Sequence, residues 1–158
     1  MTTNKDLVFL KHAIEIAHKN IQKNGGPFGA VITENDAIIA ESGNNVRIIN
    51  DPTAHAEIEA IRKACKNKNT YSLENCTIYS SCEPCPMCLS AIYWARISRV
   101  VFSSSKTDAS DAGFDDNFIY KEIQKPIEER FIPTYQIKTI ESKIVFDLWK
   151  NDKNSYMY

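Results

Sequence analysis

The stretch CTIYSSCEPCPMCLSAIYWARISRVVFSS, residues 76–104, passes through three elements without a linker. CTIYS is a short β-branched and aromatic run that suits a strand. PCPMCLSAIYWA predicts a helix, because Pro84 and Pro86 suit a helix start and apolar residues follow them. RVVFSS predicts the next strand. A strand, a helix and a strand in succession imply a sheet with helices laid against it.

Upstream, Leu7, Leu10, Ala13, Ile14, Ala17 and Ile21 recur at helical spacing, with Thr3 and Asp6 placed as a capping pair. NGG ends that helix. PFGAVIT and AIIAES read as strands joined through ENDA, whose Asn-Asp favours a tight hairpin. Asp51 is placed to cap a second helix, Pro52 suits its first position, and Ile58, Ile61 and Cys65 mark its buried face. Downstream come a polar, acidic stretch, a helical piece around DNFIYKEI, a strand at TYQIK and a final helix carrying Ile144, Val145, Leu148 and Trp149. The expectation is an α/β fold with a mixed five-stranded sheet, mixed because its first two strands form a hairpin. No repeat or linker divides the chain, so residues 1–158 read as one domain.

Composition bounds the function. The chain has 158 residues, 43% hydrophobic and 25% charged, as expected of one soluble domain with a real core. No apolar run is long enough to span a membrane, and the mixed-charge N-terminus lacks the apolar core of a signal peptide. The expected location is the cytoplasm, with no membrane partner. Net charge is −1 and no basic stripe is present. Between positions 108 and 129, Asp108, Asp111, Asp115, Asp116, Glu122, Glu128 and Glu129 face only Lys121 and Lys125. A nucleic-acid backbone would be poorly received there. A small, nearly neutral substrate is the better reading.

Cys82, Cys85 and Cys88 are three of five cysteines. In a reducing compartment such clustering reads as metal binding rather than as a disulfide framework. Cys65 and Cys76 read as small core hydrophobes. His55 and Glu57 stand upstream in TAHAEIEA, and such a pair converges on one point only at a helix N-terminus. Cys85 and Cys88, spaced i, i+3 at the start of the next helix, point the same way. Two helix N-termini favour thiolates, and two thiolates with an imidazole suit zinc. Cys82 lies at the strand end, displaced from that face. The ligand set is therefore His55, Cys85 and Cys88, with the fourth position open to water. Glu57 beside it is the proton carrier that an open zinc site needs and a structural one does not. The competing arrangement is a closed, fold-stabilising site in which Cys82 is the fourth ligand.

H-x-E followed by P-C-x-x-C is the signature of zinc deaminases that act on nucleobases. Here it stands as HAE at 55–57 and PCPMC at 84–88. The chain resembles the cytidine deaminase superfamily and, within it, the bacterial guanine deaminases. The likeness runs through GGPFGAVI, NDPTAHAEIEAIRKACK, SCEPCPMCLSAIYWAR, DAGFDDNFIYKEI and the terminal Tyr158. GGPFG and AGFDD select the subgroup. The resemblance implies a three-layer α/β/α sandwich, one zinc ion per subunit, and hydrolytic deamination of guanine to xanthine and ammonia, a step of purine breakdown and salvage. It implies that Glu57 relays protons from a zinc-activated water, that Asn44 hydrogen-bonds the base and that Phe28 stacks on it. It also implies that Asp116 accepts hydrogen bonds from the guanine edge and helps to shuttle protons, with Asp115 next to it as the competing choice. Finally, it implies a homodimer in which the C-terminal segment, about residues 140–158, is exchanged and Tyr158 closes over the partner's site.

Three other readings compete. A tRNA adenosine deaminase shares both motifs but should carry basic residues around its site. A cytosine- or cytidine-type deaminase shares the zinc machinery and differs in the residues that read the base. A noncatalytic zinc-stabilised binding module would have no use for Glu57.

Overall fold

The structure is a computed structural model that describes residues 3–153. The first helix, α1 (Asn4–Ile21), opens with the capping box expected of Thr3 and Asp6. Strands β1 (Gly26–Glu34) and β2 (Ala37–Asn44) form the hairpin, and Asn35 and Asp36 both take positive φ, 49° and 64°. A two-residue turn that follows the natural strand twist needs that conformation, and Asn and Asp tolerate it best after glycine. After a single turn, α2 (Val46–Ile49), come α3 (Ala56–Lys68), β3 (Cys76–Cys82), α4 (Pro86–Trp94), β4 (Arg99–Ser104) and α5 (Lys106–Asp111). The sheet order is β2-β1-β3-β4. β1 runs antiparallel to β2 and β3, and β3 runs parallel to β4.

Strand alternation sorts the core into two layers. Ala30, Ile32 and Ile78 face one side, where Ala56, Ala60 and Ala64 of α3 and Ile92 of α4 cover them. Val31 and Tyr79 face the other side, against Ala13 of α1. Alanines at every fourth position let α3 lie close to the sheet. Gly29 does the same for α1: a Cβ there would lie 2.2 Å from the carbonyl oxygen of Ala13. Cys76 is fully buried in the first layer and Cys65 packs against it, as core hydrophobes should. The outcome is helix, sheet, helix.

Residues 117–153 belong to a second compact unit. It contains α6 (Asn117–Gln124), a 3₁₀ turn (Ile127–Glu129) and α7 (Ile140–Asn151). Within it Phe118 and Phe131 meet edge to face at 5.7 Å. TYQIK does not form the expected fifth strand: residues 134–138 carry no regular structure, and the sheet has four strands among the described residues. Period-2 patterning gives a segment strand propensity, but only a neighbour supplies the ladder. α5 was not expected, because its six residues KTDASD have no apolar face; Ser105 and Asp108 build it through a capping box. No helix among the described residues is long and apolar enough to cross a membrane.

One half-buried ion pair ties the start of α1 to the sheet. Arg99 donates to both oxygens of Asp6, at 2.6 and 2.9 Å, and the Tyr79 hydroxyl donates to Oδ1 at 2.8 Å. The Arg99 guanidinium holds the Asp6 carboxyl well below the usual carboxylate range, outweighing burial, with Thr3 and Tyr79 helping. A folded-state pKa below the unfolded one stabilises the protein above the unfolded value, and this contribution is lost as pH falls towards the folded value. Asp6→Asn should therefore lower the melting temperature at pH 7 and flatten its dependence on pH below about 4. Equal acid sensitivity in the two proteins would show that Asp6 carries no such linkage.

Candidate functional site

His55 and Cys85 are the N-cap residues of α3 and α4, and neither side chain caps its own helix. Both helices begin later than the sequence suggests. Asp51 does not cap α3, because its Oδ1 already accepts from the Thr53 N–H and hydroxyl, both at 2.7 Å. That short turn carries the chain through Pro52 without helix, so His55 sits just before the first turn rather than in it. Cys85 has the same place ahead of Pro86, which occupies the opening of α4. The two caps are thereby free to face each other.

His55 Nδ1 lies 3.6 Å from Cys85 Sγ and 3.5 Å from Cys88 Sγ. Tetrahedral zinc, with bonds of about 2.3 Å to sulfur and about 2.0 Å to nitrogen, needs these separations to be about 3.5 Å. The three groups form a metal-type cluster among the described residues. Their donor chemistry and spacing both fit zinc. Cys82 is not in the cluster: it ends β3 opposite Ser104, its thiol points at the Ser105 carbonyl at 3.5 Å, and burial pushes its pKa up to about 11. Among the described residues the fold groups His55, Cys85 and Cys88 without Cys82.

Electrostatics favour a thiolate at the cluster. The Cys85 thiol is held down at about 4 by a hydrogen bond from Cys88, with His55 adding to it against burial. The same contacts raise Cys88, and Cys85 raises His55. Glu57, in the first turn of α3, is 6% exposed, and burial pushes its carboxyl above the ordinary range. Its Oε1 accepts from Ser80 Oγ at 3.0 Å, and its Oε2 lies 3.4 Å from Cys88 Sγ. A carboxyl so placed, and so raised, is suited to taking up a proton beside the cluster and giving it up again.

The expected base-reading residues come from the surrounding segments. Asn44 ends β2, is buried, and accepts from the Val46 N–H at 3.2 Å. Asn20 donates to the carbonyls of Gly26 and Asn44, at 2.8 and 2.7 Å, and so pins the β1 entrance to the β2 exit. Next in the chain, the Asn45 N–H donates to Ala54 at 2.8 Å, one residue before His55. Phe28 is half-buried in β1 and meets Phe114 edge-on at 4.9 Å. Asp116 is half-buried; burial raises its carboxyl, and Cys85 acts in the same direction. Asp115 is exposed. Tyr158 lies outside the described residues. Ser80 was missed from the sequence, where it is only the last letter of an apolar strand; its sole signal was a hydroxyl on the side of the strand that faces inward.

A family model described as the cytidine and deoxycytidylate deaminase zinc-binding region matches residues 3–104. Guanine deaminase from Bacillus subtilis is 56% identical over 151 residues, covering 95% of this chain and 97% of that one. A solved guanine deaminase structure from the same organism superposes with a TM-score of 0.94 at 54% identity, covering 99% of each chain. A tRNA-specific adenosine deaminase from Aquifex aeolicus is 44% identical over 96 residues, 61% of this chain and 64% of its own.

Proposed function

Because the chain belongs to the family of proteins with the cytidine and deoxycytidylate deaminase zinc-binding region, we propose that it hydrolyses guanine to xanthine and ammonia. The observation that carries the reaction class is Glu57, a buried carboxyl beside the His55–Cys85–Cys88 cluster. The choice of base rests on likeness to a guanine deaminase along nearly the whole chain, including GGPFG and AGFDD.

His55, Cys85 and Cys88 would hold one zinc ion per subunit. Zinc supplies a Lewis acid that makes water a nucleophile near neutral pH. Glu57 takes one proton from the attacking water and delivers it to a ring nitrogen, then takes the second from the hydroxyl now on the ring carbon and delivers it to the amine, which leaves as ammonia as the carbonyl forms. Asn44 Nδ2 can donate to guanine's O6 or N7, both acceptors, while its Oδ1 accepts from the Val46 N–H. Asp116 accepts from N1–H and the 2-amino group, which adenine does not present together. Its burial beside Cys85, against the exposure of Asp115, supports this choice within the pair. Phe28 stacks on the purine face, held edge-on by Phe114. The partner is a small base rather than a nucleic acid or a membrane, and thiol ligands suit a reducing, cytoplasmic compartment.

Residues 1–158 act as one deaminase domain, in a homodimer that exchanges the segment from about 140 onward, with Tyr158 closing the partner's site. Two facts support this. Phe131, Ile132, Tyr135, Ile137 and Ile140 are each more than two-thirds exposed, an apolar run that a solitary chain would not leave in water. TYQIK has strand patterning and no ladder.

The test is ammonia release from zinc-loaded protein offered guanine, guanosine, adenine and cytosine in parallel, on a preparation whose mass is measured by light scattering. Release with guanine alone, from a dimer, is expected. Turnover of cytosine or adenine instead would overturn the choice of base, and an active monomer would overturn the exchange.

A further inference from the structure

Ser80 is out of place for a strand buried on both faces. On β3 it stands on the same side as Ile78, beside Ala30 of β1 and Phe102 of β4, and is 1% exposed. None of these side chains accepts a hydrogen bond, and an unpaired hydroxyl at this depth would cost stability. Its partner comes from the helix above: Ser80 Oγ lies 3.0 Å from Glu57 Oε1. The other carboxyl oxygen, Oε2, is the one turned towards the ligand cluster, 3.4 Å from Cys88 Sγ.

We propose that Ser80 is a positioning residue of the deamination reaction: its hydroxyl anchors Glu57 Oε1 and so fixes Oε2 as the oxygen that handles the proton. This rests on the reading of Glu57 as the proton carrier. A carboxylate on a two-carbon stem swings freely about its terminal torsion, which is broad and roughly two-fold. In the first turn of α3 nothing covalent decides which oxygen faces the metal. A fixed donor on a central strand does, because the strand is rigid and its register with β1 places residue 80 below the start of α3. Ser80 touches neither the ligands nor, by this placement, the base, so its removal should leave binding intact and slow the chemistry.

The experiment compares wild type, Ser80→Ala, Ser80→Thr and Ser80→Val in the zinc-loaded protein. Kinetics on guanine, zinc per chain and crystal structures are read for each. Hydrogen-bond partners one step removed from a metal centre typically contribute about 10- to 100-fold. Ser80→Ala should lower kcat by about that factor, with KM and zinc content unchanged and the Glu57 carboxyl rotated or split between positions. Thr and Val have the same shape and differ in the hydroxyl, so Ser80→Thr should keep most of kcat where Ser80→Val loses it. This pair decides the matter even if the alanine variant folds poorly. Equal kcat in the Thr and Val variants, or a rise in KM alone, would overturn the inference while leaving the deaminase reading in place. A wild type inactive on guanine would overturn that reading and the inference with it.

Discussion

Glu57→Gln should retain zinc and lose guanine turnover by about a thousandfold, within the range that positioned acid–base groups supply. The amide keeps the shape of the carboxyl and can still accept from Ser80 Oγ through its oxygen. It cannot carry a proton from water to the purine. Because the change is isosteric, the fold should tolerate it; in the metal-free protein it should be neutral or stabilising. Burial raises the Glu57 pKa, so the ionised group costs folding free energy above its unfolded pKa, and an amide has no such cost. The check is kcat, zinc per chain and melting temperature measured on one preparation. Turnover within tenfold of wild type at full zinc occupancy would remove Glu57 from the reaction.

Zinc removal should abolish turnover and leave the protein folded, and the ligand variants should divide in the same way. His55, Cys85 and Cys88 lie at the starts of α3 and α4. What holds those helices to the sheet is the layer of Ala56, Ala60, Ala64, Ile78 and Ile92, which does not depend on the metal. A structural zinc site is different in kind, because its binding energy is folding energy and its apo form unfolds. Chelated protein should therefore keep its far-ultraviolet circular dichroism while releasing no ammonia. Cys88→Ala should fail to hold zinc. Cys82→Ala should hold one ion per chain, since its thiol faces the Ser105 carbonyl instead of the cluster. Apo protein that unfolds at room temperature, or a Cys82→Ala variant that loses its metal, would restore the closed four-ligand site.

The local grammar of the chain was legible over most of the first unit. Apolar spacing located α1, the Asn35-Asp36 pair located the hairpin turn, and RVVFSS matched β4 residue for residue. These signals are short-range: helix period, strand alternation and turn chemistry each depend on residues within a few positions. Helix starts were read less well. At Asp51 two local uses of one carboxylate compete, a cap or a two-residue turn, and the sequence does not rank them. α5 and the missing fifth strand fall outside that grammar altogether, one for want of a hydrophobic face and the other for want of a ladder partner.

The sequence alone determined which residue types two helix starts bring together, His55, Glu57, Cys85 and Cys88. It did so because the chemistry is written in side-chain identity and two helix starts bring near neighbours together. Tertiary structure alone decided that Cys82 turns away, that Asp116 rather than Asp115 lies half-buried near Cys85, and that Ser80 meets Glu57 from 23 positions along the chain. Such meetings are set by how β3 registers with β1 and how α3 sits over both. That arrangement belongs to the packed sheet and helices, and no window of sequence contains it.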